Sequence, residues 1–288
     1  MKDMKSNKTI DDVRHFWNNN PLFTGEGEFE AGTKEWFLQH ESVYHTDVFP
    51  SGQPDPIMWN GLTPDMKLCD IGCGPGYWVR FFLGSGFRNV SACDLTEQAV
   101  LYTKRSLELF SLQTEGVVIL GNAESLPFER SSFDQINCQG VIHHTPNTES
   151  CIKKFHRILK PGGTVCFSVY HKHFLLRHPR LLKLFSSMFH KVISLKGRGR
   201  ENLLSNCDAN EIVRKYDGID NPIGKSYTLK EAIDLLTPES TPLFVSEQTS
   251  FSFFPARAFP IPIPKILHCL LHKYLGLLIV IKAKKIDK

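Results

Sequence analysis

Met66-Lys-Leu-Cys-Asp-Ile-Gly-Cys-Gly-Pro-Gly76 is the stretch whose reading decides the fold. It reads as a short apolar strand that ends in an acid, Asp70, and runs into a loop with glycine at alternate positions. Gly72, Gly74 and Gly76 have no Cβ, so the loop can turn sharply and bring its backbone against a ligand. Tyr77, Trp78, Val79, Phe81, Phe82 and Leu83 follow with the composition of a packed helix. The first amides of that helix then point at whatever the loop holds. Strand, glycine loop and helix make the first half of a nucleotide-binding βαβ unit.

Spacing says which nucleotide. In the dinucleotide fingerprint G-x-G-x-x-G the pyrophosphate lies over the helix N-terminus. Here the third glycine comes one residue early, at Gly76, and Tyr77 takes the next position. Asp70 stands directly before the loop, where a carboxylate repels a pyrophosphate but suits an ammonium group. Asp94 ends the next apolar strand, 18 residues after Gly76, where it can take both ribose hydroxyls. A ligand with a ribose, an amino group and no phosphate fits S-adenosylmethionine better than NAD.

With these motifs the sequence resembles the class I S-adenosylmethionine-dependent methyltransferases, and most the branch of the ubiquinone and menaquinone biosynthesis enzymes. The resemblance runs from Cys69–Gly76 through Asp94 to Gly121-Asn-Ala-Glu-Ser-Leu-Pro-Phe128. It continues in Phe133-Asp134, Gly140-Val-Ile-His-His-Thr-Pro146 and Arg157-Ile-Leu-Lys-Pro-Gly-Gly163. It implies S-adenosyl-L-methionine as cofactor, held by Asp70, Gly72, Gly74, Gly76, Asp94, Leu95, Asn122, Ala123, Glu124 and Gln139. Asn122 departs from the resembling family, which carries aspartate there against the adenine amino group; an amide oxygen can still accept that hydrogen bond.

The whole chain sets the frame. Its 288 residues suffice for one large α/β domain or a core with a small cap. With 41% hydrophobic and 22% charged residues it has the composition of a globular protein. Eight cysteines are scattered without a CxxC pair, and Cys69, Cys93, Cys138 and Cys166 fall in apolar strand-like runs. Buried free thiols and a reducing, cytoplasmic location are therefore expected. The first ten residues are polar and charged, unlike a signal peptide, and the apolar run 266–281 is broken by His268, His272 and Lys273.

Alternating signals predict an α/β fold: a Rossmann-like, seven-stranded, mostly parallel sheet with helices on both faces. Strands are expected at 66–71, 89–94, 117–121, 133–139 and 163–170, and helices near 76–85, 96–111 and 148–160. Pro161-Gly162-Gly163 reads as the turn before the fifth strand, and the resemblance makes 243–250 and 276–283 a closing antiparallel hairpin. Four segments result: a helical leader, 1–60; the cofactor core, 61–170; a helical, basic substrate cap, 171–240; and a C-terminal strand pair, 241–288. In the leader, Asp11 or Asp12 starts one helix and Thr33 caps another. Similar methyltransferases close such leaders over the cofactor, which makes Trp17 and Phe23 candidate lining residues; the alternative is plain packing on the sheet.

Methyl transfer from a sulfonium is an in-line displacement, so the main task is to hold the nucleophile against the methyl in a dry pocket. A base is needed only where the accepting atom must lose a proton. The crevice lies beyond the carboxyl ends of the strands, which brings in Gln139, His143, His144, Tyr170 and His171. His144 is the first candidate for a catalytic base and Tyr170 the second. Alternatively the histidine pair holds the loop or lines the cofactor pocket without moving a proton. His143, His144, His171 and His173 can lie close together, but no H-E-x-x-H motif accompanies them and no metal is expected. There is no G-x-S-x-G elbow for a hydrolase, and no nucleic-acid partner is expected.

The expected function is methyl transfer to a small organic or lipid-like acceptor in biosynthesis. The competing readings are a non-catalytic binder of the same cofactor and an enzyme acting on a macromolecule. Asp217-Gly-Ile-Asp-Asn-Pro222 is turn-rich, and Thr228 with Glu231 forms a helix start. Residues 171–200 hold eight Lys and Arg and no acid; subtracting that +8 from the chain's net +4 leaves −4 elsewhere. Leu181, Leu184, Phe185, Met188, Phe189 and Val192 recur at helical spacing there. The segment is either a solvated cap or a basic lid that touches an anionic membrane surface.

Overall fold

Strand β1 (Leu68–Ile71) is buried along its whole length and paired on both sides, with β2 (Val90–Asp94) and β4 (Phe133–Cys138), all parallel. The computed structural model describes residues 8–49, 52–178, 180–182, 184, 208–254 and 263–287. Helix α3 (Tyr77–Gly84) joins β1 to β2, and α4 (Glu97–Leu109) joins β2 to β3 (Val118–Leu120). Helix α5 (Thr148–Ile158) leads from β4 into β5 (Leu159–His171). Strands β7 (Phe244–Ser252) and β8 (Leu278–Lys285) run antiparallel, giving the order β3-β2-β1-β4-β5-β8-β7. The order reverses between β1 and β4, and that reversal opens a crevice at the strands' carboxyl ends.

Side-chain alternation divides the core into two layers. Cys69 and Ile71 face Ile152 and Phe155 of α5, whereas Leu68 faces Val79 and Phe82 of α3. Each large apolar side chain taken out of water here contributes about 1.5–3 kcal/mol before entropy is counted. The described cysteines are all free thiols, and Cys69, Cys93, Cys138 and Cys166 are buried as expected.

Three features differ from expectation. The sheet has eight strands, not seven: β6 (Ser226–Tyr227) lies parallel beside Tyr170 and His171 because the insertion returns along the end of β5. Strand β5 begins at Leu159, which pairs with Phe133, and a register shift rather than a break absorbs Pro161-Gly162-Gly163. The C-terminal segment holds a helix, Lys265–Leu275, between its two strands.

The insertion contains α6 (Phe174–Arg177), α7 (Ala209–Tyr216) and α8 (Leu229–Asp234), the last opened by a Thr228–Glu231 capping box. We number the Lys265–Leu275 helix α9. Most of the expected basic helix, 185–200, lies outside the described residues. The leader forms α1 (Ile10–Asn19) and α2 (Lys34–Val48). Thr33 caps α2, but Thr9, in a box with Asp12, opens α1 just ahead of the acids expected to do so.

Candidate active site

The glycine loop is fixed from both sides. Gly72 has φ +75° and a Cβ on it would collide with Val141, so the fold itself requires glycine there. Gly74 has φ +49°, and a Cβ would meet nothing nearer than Leu22 Cδ2 at 4.0 Å. Its missing side chain leaves a cradle open over the loop. The Gly74 amide donates to Asp94 Oδ2 at 3.1 Å, and Thr103 Oγ1 donates to the Gly74 carbonyl at 2.9 Å. Thr96 donates its amide and its hydroxyl to Asp94 Oδ1, both at 2.9 Å, while its side chain caps α4. Asp94 is thus pre-oriented at the end of β2; burial still pushes its carboxyl up against these hydrogen bonds.

Two adjoining cavities open at the crevice. Gly72, Gly74, Asp94, Leu95, Asn122, Ala123, Gln139 and His144 line the first, and α1 covers it with Val13 and Trp17. The second takes in Tyr170, His143, Asp217, Tyr44 of α2, and Tyr77 and Trp78 of α3. Trp17 lines both, and its ring centroid lies 5.2 Å from that of His144; Phe23 lines the second.

Three residues expected to touch the cofactor are not on these walls. Glu124 accepts the Asn147 amide through Oε1 at 2.6 Å and so ties down the start of α5. Gly76 is packed against Thr103 and Ser106. Asp70 lies beneath the loop, 1% exposed, because the β1–β4 register sets it beside Asn137, whose Nδ2 donates to Oδ1 at 2.8 Å. Asn122 lines the first cavity, yet its Oδ1 already accepts the Glu124 amide at 2.9 Å, leaving one lone pair for an adenine.

The second cavity contains a constellation that local sequence does not reveal. His144 Nδ1 lies 2.7 Å from the Ile223 carbonyl, which only accepts, so this nitrogen carries a hydrogen. Nε2 then faces Asp217 Oδ2 at 3.2 Å, and Tyr170 donates its hydroxyl to the same oxygen at 2.7 Å. A proton must sit between Nε2 and the carboxylate, because two lone pairs at that distance repel. His144 and Asp217 therefore hold that proton as a unit.

Lys225 clasps the insertion in place through the Thr145 and Pro146 carbonyls at 2.7 and 2.9 Å, and this brings Asp217 to a histidine 73 residues earlier. His143 is buried, which pushes its imidazole well below the usual range and keeps it neutral. His171 Nδ1 pairs with the Gly276 carbonyl at 2.9 Å, and neither His171 nor His173 lines the two cavities. Among the described residues no group of three or more His, Cys, Asp or Glu is arranged to hold a metal ion.

Residues 69–167 match the family described as a methyltransferase domain. Over that stretch the chain carries a methyltransferase domain. The ubiquinone biosynthesis O-methyltransferase of an Azoarcus species is 31% identical over 108 residues, which cover 38% of this chain and 46% of that one. The demethylmenaquinone methyltransferase of Bacillus mycoides is 27% identical over 140 residues, 45% of this chain and 59% of that one. The chain thus spans about half the length of these two curated relatives. Magnesium protoporphyrin IX methyltransferase from Synechocystis, solved with bound S-adenosylhomocysteine, shares the fold with a TM-score of 0.58. Its identity is 13%, over 95% of this chain and 98% of that one.

The methyltransferase domain fits its cofactor on this chain's own geometry. The Gly74 cradle is open, Asp94 Oδ2 keeps acceptor capacity, and the first cavity runs along both. Asp70 Oδ2, beneath the loop, and His143 Nδ1, beside the second cavity, are buried without a hydrogen-bond partner. Burial pushes the Asp70 carboxyl up to about 7, against the Asn137 hydrogen bond. A cationic ligand favours the ionised form, so cofactor affinity is expected to rise with pH through about 7 and level off above, with proton release on binding. Calorimetry in buffers of different ionisation enthalpy measures that release; affinity flat between about pH 6 and 8 would separate Asp70 from the cofactor.

Proposed function

We propose that this protein is an S-adenosylmethionine-dependent methyltransferase that serves biosynthesis and acts on a small organic or lipid-like acceptor held in the second cavity. The observation that carries the reading is the shared wall. Trp17, Gly72, Gly74, Gln139, Gly140 and His144 border both cavities, so a cofactor along the loop presents its reactive end to the other chamber. When bound, S-adenosylmethionine supplies an electrophilic methyl on a sulfonium. Asp94 and the loop amides hold the cofactor, α1 with Trp17 excludes water, and Gln139 is steadied by hydrogen bonds to Asn137 Oδ1 and the Cys166 carbonyl at 3.0 and 3.1 Å. The His144–Asp217–Tyr170 unit supplies proton handling where the acceptor needs it. Release of S-adenosylhomocysteine with candidate acceptors tests the proposal; tight cofactor binding without release from any acceptor favours a non-catalytic binder.

A cytoplasmic location with peripheral contact to an anionic membrane belongs to the same proposal, supported by the turned-out face of α9. That helix buries His268 and His272 but exposes Ile266 (81%), Leu267, Leu270 and Tyr274, next to Lys265 and Lys273. No described helix is long and apolar enough to cross a membrane. Co-sedimentation with vesicles is expected to rise with acidic lipid, fall with salt, and vanish when Ile266 and Leu270 become Asp or when Lys183, Lys191, Lys196 and Arg198 become Gln. No co-sedimentation at low salt removes the membrane from the account.

A further inference from the structure

Both ring nitrogens of His144 are taken by one loop of the insertion. Asp217 and Ile223 stand six residues apart after α7 and meet Nε2 at 3.2 Å and Nδ1 at 2.7 Å. The Ile223 end is tied to the body of the protein. There the Lys225 amide donates to the His143 carbonyl at 3.1 Å, and its ammonium reaches the Thr145 and Pro146 carbonyls. Asn221, fully buried, donates to the Arg214 carbonyl through Nδ2 and to the Gly218 carbonyl through its amide, both at 3.1 Å. The Asp217 end bears on α1. A Cβ on Gly218 would stand 2.9 Å from Phe16 Cζ, so the Phe16 ring lies directly on the backbone that follows Asp217. Phe16 is 7% exposed and lines neither cavity. Its ring meets Trp17 edge-on, centroids 5.2 Å apart, and Trp17 meets His144 at the same separation. Helix α1 is anchored by the Thr9–Asp12 box at its start and by Asn20, which donates to the Phe16 carbonyl through its amide and Nδ2. On the adjoining face Ile10, Val13 and Trp17 wall the first cavity.

From this contact we infer that Phe16 is a positioning residue: it seats Asp217 against His144 through the Gly218 backbone. Helix α1 thereby assembles the proton unit as well as walling the cofactor. The inference rests on the proposed methyltransferase reading and adds to it a residue that touches neither ligand. A hydrogen bond weakens steeply once donor and acceptor lose alignment, and the Nε2–Asp217 pair has no reach to spare at 3.2 Å. Close-packed interiors transmit small displacements, so a ring set on the Gly218 backbone fixes where the preceding carboxylate can lie. A misplacement of about 1 Å that begins away from the chemistry can cost about 10²-fold in rate. Were Phe16 only filling space, its truncation would lower stability and leave the two His144 protons alike.

The full chain is first titrated with S-adenosylhomocysteine; failure to bind overturns the cofactor reading, and the unloaded protein then goes forward. Protein carrying isotope-labelled histidine is next followed by NMR, with His144→Asn assigning the His144 signals. Wild-type His144 is expected to show two protected ring protons, one at Nδ1 and one at Nε2. A missing Nε2 proton overturns the proton unit and this inference with it. In Phe16→Ala the Nε2 proton should exchange with water about 10-fold faster or more, while the Nδ1 proton, held from the Lys225 end, keeps its rate. Phe16→Leu refills most of the space and should restore the Nε2 proton. Melting temperature and S-adenosylhomocysteine affinity report the fold of both variants. Label transfer from methyl-labelled S-adenosylmethionine to a small-molecule extract should slow about 10- to 100-fold in Phe16→Ala, at near-wild-type cofactor affinity. Absence of transfer by the wild type counts against the methyltransferase reading alone, because the NMR comparison judges Phe16 without an acceptor. An unchanged Nε2 proton in Phe16→Ala, or loss of both protons together that Phe16→Leu does not reverse, overturns the inference.

Discussion

Gly74→Val is expected to reduce S-adenosylmethionine affinity by at least about 100-fold while leaving most of the protein folded. The new side chain enters the open cradle, where no protein atom lies within 4 Å except Leu22 Cδ2 at 4.0 Å, and takes the space the ligand uses. Its φ of +49° adds strain of about 1–3 kcal/mol, which belongs to stability and is read separately by thermal melting. Gly72→Ala is the contrasting case. Its Cβ strikes Val141 rather than open space, so the melting temperature falls first. Asp94→Ala is milder than either in principle, about 1.5–3 kcal/mol of cofactor affinity, because it removes a charged acceptor and unties the Gly74 amide. Calorimetric titration of all three distinguishes the roles. Unchanged affinity in Gly74→Val and Asp94→Ala together would overturn the cofactor site.

The second large effect concerns the proton unit. His144→Asn is expected to lower turnover by about 10²–10⁴-fold at fixed cofactor affinity, with Asp217→Asn falling in the same range. The two groups hold one proton across 3.2 Å, so the double variant should be little worse than either single one. Tyr170→Phe removes only the 2.7 Å donor to Asp217 and should cost less than either. Single-turnover kinetics provides the measurement. Loss of acceptor or cofactor binding with the chemical step intact would instead make His144 a wall residue and move proton transfer elsewhere.

The glycine loop, Asp94 and the strand alternation were legible because their signals are local: backbone freedom, an acid at a strand end and apolar period all sit within a few residues. Leu95, Asn122, Ala123 and Gln139 line the first cavity. What escaped depends on distance along the chain. Asp217 looks like any acid in a turn-rich stretch until Lys225 pins the insertion and Tyr170 and His144 converge on one oxygen. Asp70 was placed correctly in its strand, yet only the register with β4 reveals that Asn137 shares its carboxylate below the loop. Pro161-Gly162-Gly163 reads as a stop, whereas pairing across Leu159 and Thr164 carries β5 through it. In α9 His268 and His272 point in while Ile266, Leu267 and Leu270 stay out, so hydrophobicity alone misassigns these positions.

Methyl transfer itself is the central claim, and mass spectrometry of a small-molecule extract tests it most directly. The full chain is incubated with the extract and methyl-labelled S-adenosylmethionine, beside Gly74→Val as control. The account predicts a labelled small molecule that depends on protein and cofactor and is absent with the variant. A protein that binds the cofactor but transfers label to nothing, or transfers it equally well as Gly74→Val, would contradict it.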